Sequence, residues 1–210
     1  MSYLSPIGSP FTDVTDLFSH SELEGFPIDR PYTKTRIPLS ANAHRREIGK
    51  LGIWTLSSAK LGNGVEQLRD DNVNTFWQSD GVQPHTVTVF FPRKIAVSEF
   101  CIFVDFKSDE SYTPSKLSIY LGNTTTDLWE VQTVDLDEPT GWFNFSLGKQ
   151  QGGAFRPVKT HIVQLMVLQN QHNGRDTHIR EIKIFGPRED LKIAFPNFNS
   201  AAYSKYAFIH

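Results

Sequence analysis

The chain has a single cysteine, Cys101, so no internal disulfide can staple the fold. It stands in the apolar run Phe100-Cys101-Ile102-Phe103-Val104, where a small buried hydrophobe is expected rather than a reactive thiol. No window reaches the ~20 apolar residues of a membrane span. The N-terminal Met1-Ser2-Tyr3-Leu4-Ser5-Pro6 lacks the positive and apolar regions of a signal peptide. A soluble protein of a reducing compartment is the expectation. Charge of one sign is missing too: 21 basic against 23 acidic residues leave a formal −2. A global basic field for nucleic acid is therefore excluded, and no membrane or nucleic-acid partner is expected.

Chemistry-bearing motifs are equally scarce. No Gly-x-Ser-x-Gly turn or comparable strained nucleophile is present. Gly62-Asn63-Gly64 lacks the Lys-Ser/Thr that a phosphate-cradling loop needs. His172, Asp176 and His178 could chelate a metal if their loop folded back, but no second His or Cys cluster stands at ligand spacing. Asp70-Asp71-Asn72 is oxygen-rich, yet lacks the spaced carboxylates and closing Glu of a calcium loop. Turn-capping by these aspartates, with Trp77 in the core, is the better reading. The expectation is a chain without catalytic residues, metal or cofactor.

What is plentiful is aromatic residues and short strands. Sixteen Phe, six Tyr and four Trp suffice for a core in one domain of roughly 150 residues, which buries about two-thirds of its unfolded surface. Residues 1–44, with Pro6, Pro10, Pro27, Pro31 and Pro38, show no sustained period and read as an arm that is poorly ordered or depends on a partner. From 45 to 188 strand patterns take over. Thr86 to Phe90 alternates, as do Leu117, Ile119 and Leu121, then Phe143, Phe145 and Leu147, then Ile182 and Ile184. Phe100–Phe106 and Ile162–Leu168 are apolar on both faces, which predicts central strands sandwiched between layers. Turn clusters such as Ser79-Asp80-Gly81 and Asn173-Gly174 separate them. Helical spacing is confined to a turn or two at Val65-Glu66-Gln67-Leu68. The pattern predicts an all-β sandwich or jelly roll, followed by a tail over 189–210.

Two loops concentrate polar groups. One is Lys107 to Pro114, directly after an apolar run. The other is Gln169 to His178. Loops on a rigid scaffold commonly carry binding residues. Asn and Gln both donate and accept, carboxylates accept, and Arg presents a planar fork of donors, a set suited to a peptide with exposed amides.

Five segments resemble a known family. Arg46-Glu47-Ile48-Gly49, Gln67 to Asn72, Phe76 to His85, Lys107 to Lys116 and Asn173 to His178 are similar to the Doc domain, and more narrowly to the Doc-type subunits of the anaphase-promoting complex, the ubiquitin ligase of mitosis. The resemblance spans about residues 45 to 188. It implies a galactose-binding-like jelly roll without chemistry of its own, resident in nucleus and cytoplasm. It also implies a co-receptor that works with a propeller-type co-activator to hold destruction-box substrates such as cyclins, so that ubiquitin chains grow processively. Carried over residue by residue, the degron contacts fall on Ser108, Asp109, Glu110, Ser111 and Tyr112, and on His172, Asn173, Gly174, Arg175, Asp176 and His178. Family members usually end in Ile-Arg, a tail that docks on a helical-repeat scaffold subunit. This chain ends in Ile209-His210, which exchanges an always-charged guanidinium for an imidazole. Ser5-Pro6 and Ser9-Pro10 have the form of proline-directed phosphorylation sites. Two readings compete with the co-receptor: a carbohydrate-binding jelly roll and a purely architectural subunit.

Overall fold

The computed structural model describes residues 32–35, 45–151 and 154–188. Among them, in chain order, the strands are β1 (Tyr32–Thr35), β2 (Arg45–Glu47), β3 (Ile53–Leu56), β4 (Trp77–Gln78), β5 (His85–Val97), β6 (Glu99–Asp105) and β7 (Pro114–Gly122). The remainder are β8 (Trp129–Asp135), β9 (Thr140–Ser146), β10 (Lys149–Gln151), β11 (Ala154–Arg156), β12 (Val158–Asn170), β13 (His178–Ile179) and β14 (Glu181–Pro187). Two five-stranded antiparallel sheets result, ordered β1-β9-β6-β14-β2 and β3-β5-β12-β7-β8. This is the jelly-roll sandwich that the short alternating runs predict.

Alternation explains the core. Successive strand residues point to opposite faces, so Val87 and Val89, Leu117, Ile119 and Leu121, and Val163, Leu165 and Val167 project from one sheet. Phe100, Ile102 and Val104, Phe143 and Phe145, and Ile182 and Ile184 meet them from the other, and all are buried. β6 and β12 occupy the middle of their respective sheets, as their apolar character predicts. The reason differs between the two. β6 is apolar on its outer face because Cys101 and Phe103 form a second small cluster with Trp142 and Phe185. The Arg45 guanidinium lies over the Phe185 ring and the Lys183 ammonium over Trp142. Burial, aided by the Glu99 charge, pushes the Cys101 thiol above its usual range. On β12 the outward-facing Gln164 and Met166 are only half-buried, so the second covering layer expected there is not seen among the described residues.

Local details follow the predicted chemistry. Val65–Leu68 forms a single helical turn, with the Gly64 amide donating to Gln67 Oε1 at 2.9 Å. Asp70 Oδ1 accepts the Asn72 amide at 2.9 Å and Thr75 Oγ1 at 2.9 Å, which makes the acidic stretch a capped turn. Trp77 is fully buried, and its indole donates to the Ser58 carbonyl at 2.9 Å. Within the stretch assigned to an arm, Tyr32–Thr35 pair with β9, and the Tyr32 ring packs on Phe143 and Phe145. The rest of that arm, Ser5 and Ser9 included, lies outside the described residues, as does the tail with Ile209 and His210.

Candidate functional site

Two chain reversals meet at one end of the sandwich. After β6 the chain turns through a short helix, Phe106–Asp109, and a 3-10 turn, Glu110–Tyr112, before entering β7. After β12 it turns through a 3-10 segment, Gln171–Asn173, and runs by Gly174 to β13. The Gln171 amide donates to the Thr113 carbonyl at 2.8 Å, and Thr177 Oγ1 donates to the Tyr112 carbonyl at 3.3 Å. Glu110, His172 and Asn173 adopt left-handed backbone, with φ of 45°, 51° and 55°. Such conformations cost on the order of 1–3 kcal/mol each outside glycine, and they persist where surrounding structure over-determines them. Three of the five described non-glycine residues with positive φ therefore crowd into this one place.

A charged and aromatic pillar supports the loops from below. Arg180 forks onto Asp109, Nε to Oδ2 at 2.8 Å and Nη2 to Oδ1 at 2.8 Å, while His178 Nδ1 donates to Oδ1 at 3.1 Å. A third guanidinium nitrogen, Nη1, donates to the Val73 carbonyl at 2.9 Å and so ties in the 70–76 turn. The His178 ring is stacked between Phe76, with centroids 4.1 Å apart, and Tyr112 at 4.3 Å. Burial alone would raise the Asp109 carboxyl, but the hydrogen bonds from His178 and Arg180 win and hold it below the usual carboxylate range. The same carboxylate holds the Arg180 guanidinium above its ordinary value.

The loop residues therefore divide. Ser108, Glu110, Tyr112, His172, Asn173 and Arg175 are exposed, and Ser111, Gly174 and Asp176 are half-buried. Asp109 and His178, at 5% and 8% exposure, are inside the pillar instead. The three residues that could have formed a metal site go separate ways. His172 meets the Phe106 ring edge-on, Asp176 pairs with Lys60 at 3.8 Å, and His178 holds Asp109. An Asp-His couple also resembles half of a hydrolytic triad. Here the far nitrogen of His178, Nε2, is buried, and among the described residues it has no hydrogen-bond partner and so no hydroxyl or thiol in the nucleophile's position.

A third wall comes from the turn before β5. Gln83 Nε2 donates to the carbonyls of Gly174 at 2.8 Å and Arg175 at 3.3 Å, and His85 Nε2 donates to that of Arg175 at 2.6 Å. Asn170 Nδ2 donates to the Asp176 carbonyl at 2.7 Å. The result is a polar cleft of about 390 Å³ lined by Asp80, Gly81, Val82, Arg175 and Asp176. Arg180, Gln83 and Asp80 are absent from the sequence-based set. His178 and Arg180 do stand two apart in an extended segment, which places them on one face, but nothing local points to Asp109 as their partner. Chemically, the surface offers carboxylates, amides, a guanidinium and an exposed tyrosine in a shallow, open arrangement.

Comparison with known proteins gives a consistent picture. The family model described as "Anaphase-promoting complex, subunit 10 (APC10)" matches residues 29–207. Anaphase-promoting complex subunit 10 of Homo sapiens is 48% identical over 165 residues, covering 78% of this chain and 88% of the relative. The Mus musculus protein of the same name is 47% identical over 172 residues, covering 81% and 91%. Anaphase-promoting complex subunit DOC1 of Saccharomyces cerevisiae is 32% identical over 155 residues, covering 73% of this chain and 61% of the relative. Among solved structures, the family 32 CBM from C. perfringens NanJ in complex with galactose superimposes with a TM-score of 0.56 at 15% identity, covering 67% of this chain and 98% of that one. The CBM32-1 and CBM32-2 domains of Clostridium perfringens ZmpB in complex with GalNAc give 0.58 at 17% identity, covering 74% and 39%. At such identities the likeness bears on the fold alone.

Proposed function

Because the chain belongs to the family of anaphase-promoting complex subunit 10, we propose that it is a non-catalytic subunit of that ubiquitin ligase and a co-receptor for destruction-box degrons. In this reading the loops 108–112 and 172–176 hold part of the degron while a propeller-type co-activator holds the rest. The observation that carries it is the convergence of the two polar loops into one braced, open surface, with their exposed side chains directed to solvent. Such a surface binds a short peptide weakly by itself. Sharing the peptide with a second receptor raises apparent affinity through effective concentration, without further contacts. Longer residence then allows more ubiquitin additions per encounter. Polar contacts give discrimination, because a wrong residue leaves a buried donor or acceptor unpaired. Asp109 and His178 serve this function as supports, and Ile209-His210 as the end that docks on a helical-repeat scaffold subunit.

The test removes side chains from the rim and leaves the pillar intact. Asn173→Gly keeps the left-handed backbone unstrained where alanine would not. Asp176→Ala breaks only a long, half-exposed pair with Lys60, so the two changes together should cost about 1 kcal/mol or less. The double variant is expected to join the complex normally and to shorten the ubiquitin chains built on destruction-box substrates. Wild-type chain lengths would remove the loop assignment. Failure to join the complex would favour an architectural role for the loops.

A further inference from the structure

Away from the peptide-site end, β5 departs from regular pairing. Thr160 of β12 stands opposite Ile95 and Ile162 opposite Phe90, so residues 91–94 have only His161 across from them. Excursions of this kind re-aim side chains and are built features of sheets. His161 Nδ1 engages the Phe91 carbonyl at 3.0 Å, and the His161 ring stacks on Phe90 with centroids 6.2 Å apart. Pro92, Arg93 and Lys94 are thereby pushed into solvent. Pro92 has no N–H to contribute to a ladder and is compatible with a strand only at such a place.

Beside this bulge lies an apolar slot of about 180 Å³ lined by Leu51, Phe91, Pro92, Arg93 and Ile95. It is smaller than the roughly 300 Å³ at which small-molecule sites begin, and its size suits one side chain. The surrounding surface is unusually apolar for solvent: Leu51 is 47% exposed, Ile53 59% and Phe90 42%. Ile53 and Phe90 are directly paired across β3 and β5, so they form one patch. Among the described strands β3 is also the edge of its sheet, the kind of margin to which another chain can pair. The charge is one-sided. β3, β5 and β12 contain no Asp or Glu, whereas Arg93, Lys94 and Lys159 are exposed there. A weak global field with a local basic rim around an apolar centre has the composition of a protein interface.

We infer that this patch docks the chain onto another subunit of its assembly, through a segment that inserts one apolar side chain into the slot and presents carboxylates to Arg93 and Lys94. The inference rests on family membership and is independent of the peptide-site reading. The lack of acidic residues over three adjacent strands selects an acidic partner, and the slot selects an apolar anchor.

Two measurements test it, both with the full chain and with the complex purified without this subunit, and neither with any degron present. Arg93→Glu combined with Lys94→Glu should weaken binding to that complex at least about tenfold, with an unchanged melting temperature. Wild-type affinity of this variant would overturn the proposal. In the second, a photo-reactive benzoylphenylalanine replaces Phe90 and the assembled complex is irradiated. A cross-link to another subunit within a few residues of an Asp or Glu is expected. Cross-links to residues 1–44 or 189–210 of the same chain, to a second copy, or to nothing, would contradict it.

Discussion

Arg180→Ala should destabilise the protein by about 3–5 kcal/mol, the usual consequence of stranding a buried charge by removing its partner. Asp109 is buried, and among the described residues Arg180 supplies two of the three hydrogen bonds that its carboxylate accepts. Without them, the burial that already opposes ionisation of Asp109 goes largely uncompensated. Arg180→Lys should fall between, since an ammonium keeps the charge but cannot reproduce the fork or reach Val73 as well. Denaturant titration with an unchanged m-value is the measurement.

The pH dependence gives the expectation a sign. In the native protein Asp109 has a depressed carboxyl, so its contribution to stability is complete above its unfolded value of about 4 and fades as pH falls through the folded value. In Arg180→Ala the burial penalty raises that carboxyl instead, and the variant then gains from protonation as pH falls. The gap between the two proteins should be widest near neutrality and should narrow toward about pH 4. A gap that is flat across this range would mean that Arg180 acts through packing and not through Asp109.

Gly174→Ala should be nearly as damaging to the site, for a different reason. At φ −58° and ψ 144° the backbone accepts any residue, so conformational strain is not the issue. A β-carbon there would lie 1.8 Å from the Ser111 carbonyl oxygen and 2.7 Å from its carbon. Both obstacles are backbone, so no rotamer change relieves them. The 108–112 and 171–176 loops must separate, straining the Gln171–Thr113 and Thr177–Tyr112 hydrogen bonds. Overpacking of this kind costs about 1–3 kcal/mol. Under the proposed co-receptor role, degron affinity should also fall at least about tenfold, equivalent to about 1.4 kcal/mol, because the two halves of the surface no longer keep register. Ser111→Ala removes only the side chain, leaves the backbone contact as it is, and should keep the melting temperature nearly unchanged. Degron-dependent ubiquitination by complexes carrying each variant, alongside their melting temperatures, distinguishes the two.

These two residues mark where the sequence could and could not be read. The central positions of β6 and β12 were legible because long apolar runs mark strands with a neighbour on either side, though only β6 is also covered on its outer face among the described residues. β8, Trp129-Glu130-Val131-Gln132-Thr133-Val134-Asp135, is a polar edge strand whose alternation is too weak to stand out. The bulge at 91–94 could not be anticipated, since it depends on the register against β12. The two loops were legible as dense polar segments between strands. Their internal division was not. Asp109 and Glu110 look alike in sequence, yet one is buried under Arg180 and the other faces solvent. Gly174 read as half of an Asn-Gly turn, whereas what requires it is the backbone of another loop. Both distinctions arise from contacts 60 or more residues apart, which no local pattern encodes.

The most direct measurement is a map of where the degron lies. A destruction-box peptide carrying a photo-reactive group at successive positions is bound to the assembled complex with co-activator, irradiated, and the cross-linked residues on this chain identified. Cross-links concentrated on Ser108, Glu110, Tyr112, His172, Asn173 and Arg175, with none on the buried Asp109 or His178, are the result expected of a co-receptor surface carried by the two loops. Cross-links confined to the co-activator, or falling on this chain outside the loops, would contradict it.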